Sequence, residues 1–98
     1  MSSFSAEYAV ANPVAGVYYV KNSVGPRNKY DYNEARAVCQ KVGLELASKE
    51  QLSIAHEQGL SVACGWTSDN TAWWYSPTWV ALKPCDTGTR RWDAYCSK

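Results

Sequence analysis

The chain has 98 residues, 46% hydrophobic and 19% charged, which is the size and composition of one small globular domain. A multidomain enzyme is excluded because a second core needs roughly another hundred residues. Ten basic and nine acidic residues leave a formal net charge of +1, which argues against a nucleic-acid partner. No apolar run approaches the roughly 20 residues of a membrane-spanning helix, so we expect no membrane insertion.

The start of the chain gives little structural signal, and we predict a flexible lead-in over residues 1–15 and a folded domain over residues 16–98. It begins Met-Ser-Ser with no cationic, apolar leader, so we interpret the numbering as starting after a removed signal or as describing a fragment. From Gly16, the segment Gly-Val-Tyr-Tyr-Val-Lys has the β-branched and aromatic content of a strand, and residues 22–26 supply a turn.

Two capping boxes predict two helices. Asp31 is followed three positions later by Glu34, and Ser48 is followed three positions later by Gln51. The first helix then buries a stripe at i, i+3, i+4 and i+7, consisting of Ala35, Val38, Cys39 and Val42, and it ends at Gly43. The second ends at Gly59, and its candidate inward positions are Leu52, Ala55 and Ile54. We predict the single histidine, His56, as a solvent-exposed residue on a face away from Leu52.

Beyond Leu60 the sequence indicates short strands and loops, closed by a strand over residues 90–96 with Trp92, Ala94 and Cys96 on one face. The order strand, two helices, then hairpins gives an α+β domain. We expect Trp66 and Trp92 in the core. Because adjacent residues of a strand face opposite ways, one of Trp73 and Trp74 is predicted to be buried and the other exposed.

Cys39, Cys64, Cys85 and Cys96 form an even set in a short chain, which favours two disulfides and an oxidising, extracellular location. Three pairings are possible. Zinc is the competing interpretation, but structural zinc ligands usually come in pairs two to four residues apart, whereas the steps here are 25, 21 and 11 residues.

Several segments in order resemble a Link module, the hyaluronan-binding branch of the C-type-lectin-like fold. They are Gly16-Val-Tyr-Tyr-Val, Glu34-Ala-Arg-Ala-Val-Cys39, Leu46-Ala-Ser-Lys-Glu-Gln-Leu52, Cys64-Gly-Trp66 and Arg91-Trp-Asp-Ala-Tyr-Cys96. The resemblance implies two helices packed on small antiparallel sheets, with Cys39 paired to Cys96 and Cys64 to Cys85. It also implies a non-enzymatic, extracellular module that binds hyaluronan or a related glycosaminoglycan. The chain departs from the family between Cys85 and Arg91, where a typical Link module carries some twenty residues, so part of the groove wall is missing.

The resemblance also implies a set of ligand-binding residues. Arg27 falls on the family's basic position before the first helix, and Asn28 falls where the family often has Tyr. Either Lys29 and Tyr30 substitute from two positions along, or they occupy these positions themselves in a loop that is two residues shorter. Tyr75, with Trp74 beside it, corresponds to the family's mid-loop Tyr. Arg90 and Arg91 are the basic residues left to serve the far side. Arg binds a carboxylate through two parallel hydrogen bonds, and sugar rings stack on Tyr or Trp.

Other functions fit the sequence less well. An enzyme is disfavoured because the chain shows no set of catalytic residues: it has one histidine, His56, and all four cysteines are expected in disulfides. A calcium-dependent lectin of the same fold is disfavoured because this chain contains neither a Glu-Pro-Asn nor a Trp-Asn-Asp triplet, so we expect no metal and no cofactor. The alternative that we retain is a protein-interaction module of the same fold, using the Trp-rich surface of residues 66–79.

Overall fold

The structure, a computed structural model, describes residues 8–22, 29–60, 63–88 and 91–98. Within these residues it contains two helices, α1 (Tyr32–Lys41) and α2 (Lys49–Glu57). The strands are β1 (Tyr8–Val10), β2 (Val17–Asn22), β3 (Glu45–Leu46), β4 (Gly65–Trp66), β5 (Ala72–Ser76), β6 (Ala81–Cys85) and β7 (Asp93–Ser97). In the part of the chain described, no helix is long and apolar enough to span a membrane.

Both helices begin at the predicted capping boxes. The Asp31 carboxylate accepts from the Glu34 N–H at 2.8 Å, and Glu34 Oε1 accepts in return from the Asp31 N–H at 2.9 Å. Ser48 and Gln51 make the same reciprocal pair at the start of α2. These bonds satisfy N–H groups that have no partner inside a helix. The two helix starts therefore follow from local sequence alone, as predicted.

The described strands form one mixed sheet in the order β1-β2-β7-β4-β5-β6, and β3 also pairs with β7. All pairs are antiparallel except that of β4 with β7, in which Gly65 lies opposite Asp93 and Trp66 opposite Ala94. The small antiparallel sheets expected from the sequence are joined by this parallel pair. The closing strand β7 is therefore central, and all five of its residues are buried.

Each face of the sheet carries its own core, because residues alternate between faces along a strand. On the α1 side, Ala94 and Cys96 pack with Trp66 and with the predicted α1 stripe, and Trp92 packs at the margin. On the α2 side, Tyr95 packs with a second set: Val17, Ala47, Leu52, Ala55 and Leu60. The predicted alternation of the last strand is thus confirmed.

Two disulfides cross-link the domain, Cys39–Cys96 and Cys64–Cys85, and they confirm the pairing that the resemblance implied. The first joins α1 to β7 across 57 residues, and the second joins the residue before β4 to the end of β6 across 21 residues. Together they fasten one helix and one hairpin to the central strands.

Two local predictions differ from the structure. Residues 8–10, inside the segment predicted as a flexible lead-in, form β1 and pair with β2, with Tyr8 opposite Asn22. Their short length and the intervening Asn-Pro turn residues hid this strand. Ile54, a candidate inward position, is 52% exposed because the buried face of α2 runs instead through Leu52, Ala55 and His56.

Candidate carbohydrate-binding site

Lys29 is held at the start of β7 by a buried carboxylate. Its Nζ lies 3.1 Å from Oδ2 of Asp93, and the side chains are 42% and 2% exposed respectively. The hydroxyl of Tyr19 donates to the same oxygen. Burial, and then the hydrogen bond to Asp93, raise the pKa of Tyr19, so the phenol remains a neutral donor. The ammonium group of Lys29 is thereby fixed while part of it faces solvent.

Arg91 is fixed beside Lys29. Its Nε donates to the backbone oxygen of Lys29 at 2.9 Å, and its guanidinium also donates to Oε1 of Glu34 on α1. Both members of this ion pair are nearly half exposed, at 43% and 48%. The two predicted basic residues that the structure describes are therefore neighbours at the start of β7, but their cationic groups have different partners, Asp93 for Lys29 and Glu34 of α1 for Arg91.

Tyr30 differs from its predicted role as a ligand contact, because its side chain is only 7% exposed and belongs to the α1-side core. Its backbone exchanges two hydrogen bonds with Trp92, each 2.8 Å long, and its carbonyl accepts from Nε1 of Trp66 at 2.9 Å. These bonds pull the segment before α1 into the sheet and turn the ring inwards. Tyr30 therefore holds the segment before α1 on the sheet and does not face a ligand. The other predicted basic residues, Arg27 and Arg90, lie outside the described residues.

The aromatic strand β5 runs to the same end of the sheet as Lys29 and Arg91. Asp93 lies opposite Gly65, which lies opposite Trp73, so β5 is two strands from β7, about 10 Å away. β5 is antiparallel to β4, so Trp74 and Tyr75 continue from Trp73 towards the end where β7 begins. We refer to Lys29, Arg91, Trp74 and Tyr75 as the sheet-end site.

Trp74 and Tyr75 point to opposite faces of β5, as their adjacent positions require. Trp73 and Tyr75 lie on the α2 side, where Nζ of Lys49 stands 4.1 Å from the centre of the Trp73 ring. Trp74 lies on the other side, opposite Lys83 of β6. The prediction that one of the two tryptophans is buried and the other exposed is wrong, since both are half-buried.

Tyr75 rests on His56, which was predicted to be solvent-exposed and is in fact 4% exposed. The two rings are stacked with centroids 5.1 Å apart, and Tyr95 meets the imidazole edge-on at 5.5 Å. Nδ1 of His56 lies 3.2 Å from the Leu60 carbonyl, and Nε2 is buried without a hydrogen-bond partner. Burial lowers the pKa of His56, so the imidazole is a neutral support for Tyr75. The predicted face was wrong, because the four-residue spacing from Leu52 to His56 puts both side chains on the buried face of α2.

The turn between β5 and β6 carries a further aromatic ring outside the sheet-end site. Trp79 is 71% exposed, its backbone N–H donates to Oγ of Ser76 at 3.2 Å, and Nζ of Lys83 stands 5.3 Å from its ring centre. Val80 is also exposed and has a φ of 51°, a conformation that β-branched residues rarely adopt. The sequence predicts no role for Trp79, because nothing local identifies a turn residue whose ring stays in solvent.

A separate polar cavity of about 260 Å³ lies beside α1 and β3. It is lined by Tyr32, Arg36, Gln40, Glu45, Leu46 and Ser68. Among the described residues, none of the predicted ligand-binding side chains lines it.

No group of three or more His, Cys, Asp or Glu residues in the described part of the chain has the arrangement of a metal site.

Two helices on one mixed sheet, cross-linked by two disulfides, are the architecture of the C-type-lectin-like class. The family model of the extracellular link domain matches residues 16–97. The chain therefore belongs to the Link domain family, a family of binding modules.

Two curated proteins are similar to this chain in sequence. Over 96 residues the chain is 30% identical to Stabilin-1 of Homo sapiens and 31% identical to Stabilin-1 of Mus musculus, and each alignment covers 84% of this chain. The chain corresponds to only about 4% of the length of each of those proteins. The likeness is thus one of a single domain within much larger proteins.

Proposed function

We propose that this domain is an extracellular, non-enzymatic module that binds hyaluronan or a related glycosaminoglycan without a metal ion, through the sheet-end site. The observation that carries the proposal is the hydrogen bond from Arg91 Nε to the Lys29 carbonyl, which makes two basic, partly exposed residues neighbours at the start of β7. Arg27 and Arg90 are the sequence neighbours that we expect to add positive charge.

The charges of the sheet-end site suit an acidic polymer. A guanidinium binds a carboxylate through two parallel hydrogen bonds, and an ammonium group adds a further donor. The Arg91–Glu34 pair is close to half exposed, and such pairs contribute at most about 1 kcal/mol. A ligand carboxylate can therefore replace Glu34 at the guanidinium at little cost.

The aromatic residues suit the sugar rings of the same ligand. Tyr75 is held in place by the stacked imidazole of His56, so its ring needs little ordering when a ligand binds. β5, which carries Trp74 and Tyr75, lies about two strand spacings from the start of β7, where Asp93 holds Lys29, so stacking contacts are separated from charged contacts. This separation fits a chain of repeating sugars better than a single small molecule.

Calorimetric titration of the oxidised domain with hyaluronan oligosaccharides tests the proposal, with chondroitin sulfate and heparin as comparisons. We expect saturable binding that weakens as salt rises and is unchanged by EDTA. Arg91→Gln is expected to weaken binding about tenfold, the effect of losing one charge-assisted bond of about 1.4 kcal/mol.

The matched control is Arg36→Gln, which removes the same charge from α1. Residues 34 and 36 are separated by about 200° around the helix, so Arg36 lies away from the Glu34–Arg91 pair. Equal losses of affinity in the two variants would show that only the net charge of the domain matters, and this would contradict the assigned site. The absence of measurable binding to all three polysaccharides would overturn the proposal and favour a protein partner.

A further inference from the structure

The turn between β5 and β6 carries features that the sheet-end site does not use. Trp79 is the most exposed large apolar side chain of the described residues, at 71%. The turn is nonetheless well defined, because the Trp79 N–H donates to Oγ of Ser76, and Ser76 is itself 2% exposed. An exposed ring on an anchored turn is available to a ligand at a fixed position.

A cation accompanies this ring. Nζ of Lys83 stands 5.3 Å from the centre of the Trp79 ring, and Lys83 lies opposite Trp74 in the β5–β6 register. Residues paired directly across two strands share a face, so Trp74 and Lys83 lie on the same face of the hairpin. The arrangement is an ammonium group over one face of the Trp79 indole, with the Trp74 indole opposite Lys83 on the neighbouring strand.

The chemistry of this group favours an acidic saccharide over a protein surface. The cores of protein interfaces are depleted in charge, whereas the Trp79 ring is bordered by an ammonium group. A sugar acid offers both an apolar CH face for the indole and a carboxylate for Lys83. The position is also suitable, because β5 passes the end of the sheet where Lys29 and Arg91 lie and continues into this turn.

We propose that Trp79 and Lys83 form a second subsite, the hairpin subsite, which takes an acidic sugar unit of the same polysaccharide chain that occupies the sheet-end site. This inference rests on the proposed function and extends it. A ligand spanning both places crosses the gap from β7 to β5 and then follows the hairpin outwards. Short oligosaccharides occupy only the sheet-end site, and longer ones reach both.

The test is a length series of hyaluronan oligosaccharides titrated into the wild-type domain and into Trp79→Ala and Lys83→Gln. For the wild type, affinity rises with length until the ligand reaches the turn. For both variants, affinity for the shortest binding oligosaccharide is unchanged, whereas affinity for the longest is about three- to tenfold weaker, as expected for one aromatic or cationic contact. Ile54→Ala, which removes an exposed apolar side chain from α2, is the control and retains the full length dependence.

Failure of this inference is distinguishable from failure of the proposed function. A wild-type domain that binds no oligosaccharide overturns both. A wild-type domain that binds, with Trp79→Ala matching it at every length, overturns the hairpin subsite alone. Sedimentation that shows self-association lost in Trp79→Ala, with oligosaccharide affinity intact, also overturns it and assigns the turn to a protein contact.

Discussion

Glu34 and Arg91 form an ion pair that joins the first turn of α1 to the start of β7. The same oxygen of Glu34, Oε1, accepts from the Arg91 guanidinium and from the Asp31 N–H that closes the capping box. Glu34 thus has two roles, one in starting the helix and one in occupying the cation that we assign to the ligand. These roles are separable by substitution.

Glu34→Gln is expected to increase affinity for hyaluronan. Gln also serves at the third position of a capping box, so the helix start is retained, while the charge that competes for Arg91 is lost. We expect an increase of about two- to fivefold, corresponding to about 0.4–1 kcal/mol. Calorimetry on Glu45→Gln, which removes an equal charge from the exposed residue of β3, separates this effect from net charge. Weaker binding by Glu34→Gln would contradict the assignment of Arg91.

Gly65→Ala is expected to destabilise the domain. A Cβ at Gly65 would lie 2.6 Å from two carbons of the Tyr95 ring, and Tyr95 is fully buried on the central strand. Overpacking of this kind costs about 1–3 kcal/mol. Urea denaturation measures the loss. Gly88→Ala, where the nearest atom is 3.4 Å away, is the control and is expected to leave stability nearly unchanged.

Stability is expected to fall as the solution is acidified below about pH 6.5, the pKa of histidine in an unfolded chain. Burial lowers the pKa of His56 in the folded protein, so below that pH the unfolded chain binds a proton that the folded protein does not. The free energy of unfolding then decreases by up to about 1.4 kcal/mol per pH unit.

Urea denaturation at about pH 7.5 and about pH 5.5 detects this step, since His56 is the only histidine and most carboxylates titrate lower. In His56→Gln the pH dependence in this range is expected to disappear. Equal pH dependence in the two proteins would refute the assignment to His56.

The two disulfides are expected to contribute unequally. On the chain-entropy model, removing Cys39–Cys96, which closes the longer loop, costs about 4 kcal/mol, and removing Cys64–Cys85 costs about 3 kcal/mol. Cys39 and Cys96 are fully buried, so paired Ala substitutions there also lose packing. Thermal unfolding of the two double-Ala variants and of the reduced protein measures the order. A melting temperature unchanged by reductant would contradict the account.

The elements that could be predicted from sequence are those fixed by neighbours in the chain. The capping boxes at Asp31 and Ser48 set both helix starts, because an N-cap and the residue three positions on satisfy each other. The alternation of Trp92, Ala94 and Cys96 likewise located one face of the last strand. The disulfide pairing depended instead on the resemblance to the Link module, since spacing left three pairings open.

The features that could not be predicted depend on contacts between distant segments. His56 shares a helix face with Leu52, four residues earlier, and that spacing was a usable signal for its burial. The rings of Tyr75 and Tyr95 that cover it come from distant strands, which no pattern within α2 reports. Tyr30 is buried because its backbone bridges Trp92, far along the chain. Asp93 was visible within the Arg-Trp-Asp-Ala-Tyr-Cys motif, and an acidic residue at an inward position of a buried strand was a usable signal for the Lys29 contact.

The most direct test of the central claim is to follow amide chemical shifts of the oxidised domain during titration with a hyaluronan oligosaccharide. The account predicts saturable shifts concentrated at Lys29, Arg91, Trp74 and Tyr75, with further shifts at Trp79 when the ligand is long. Shifts that do not saturate, or that cluster instead at the cavity beside α1 and β3, would contradict the sheet-end site.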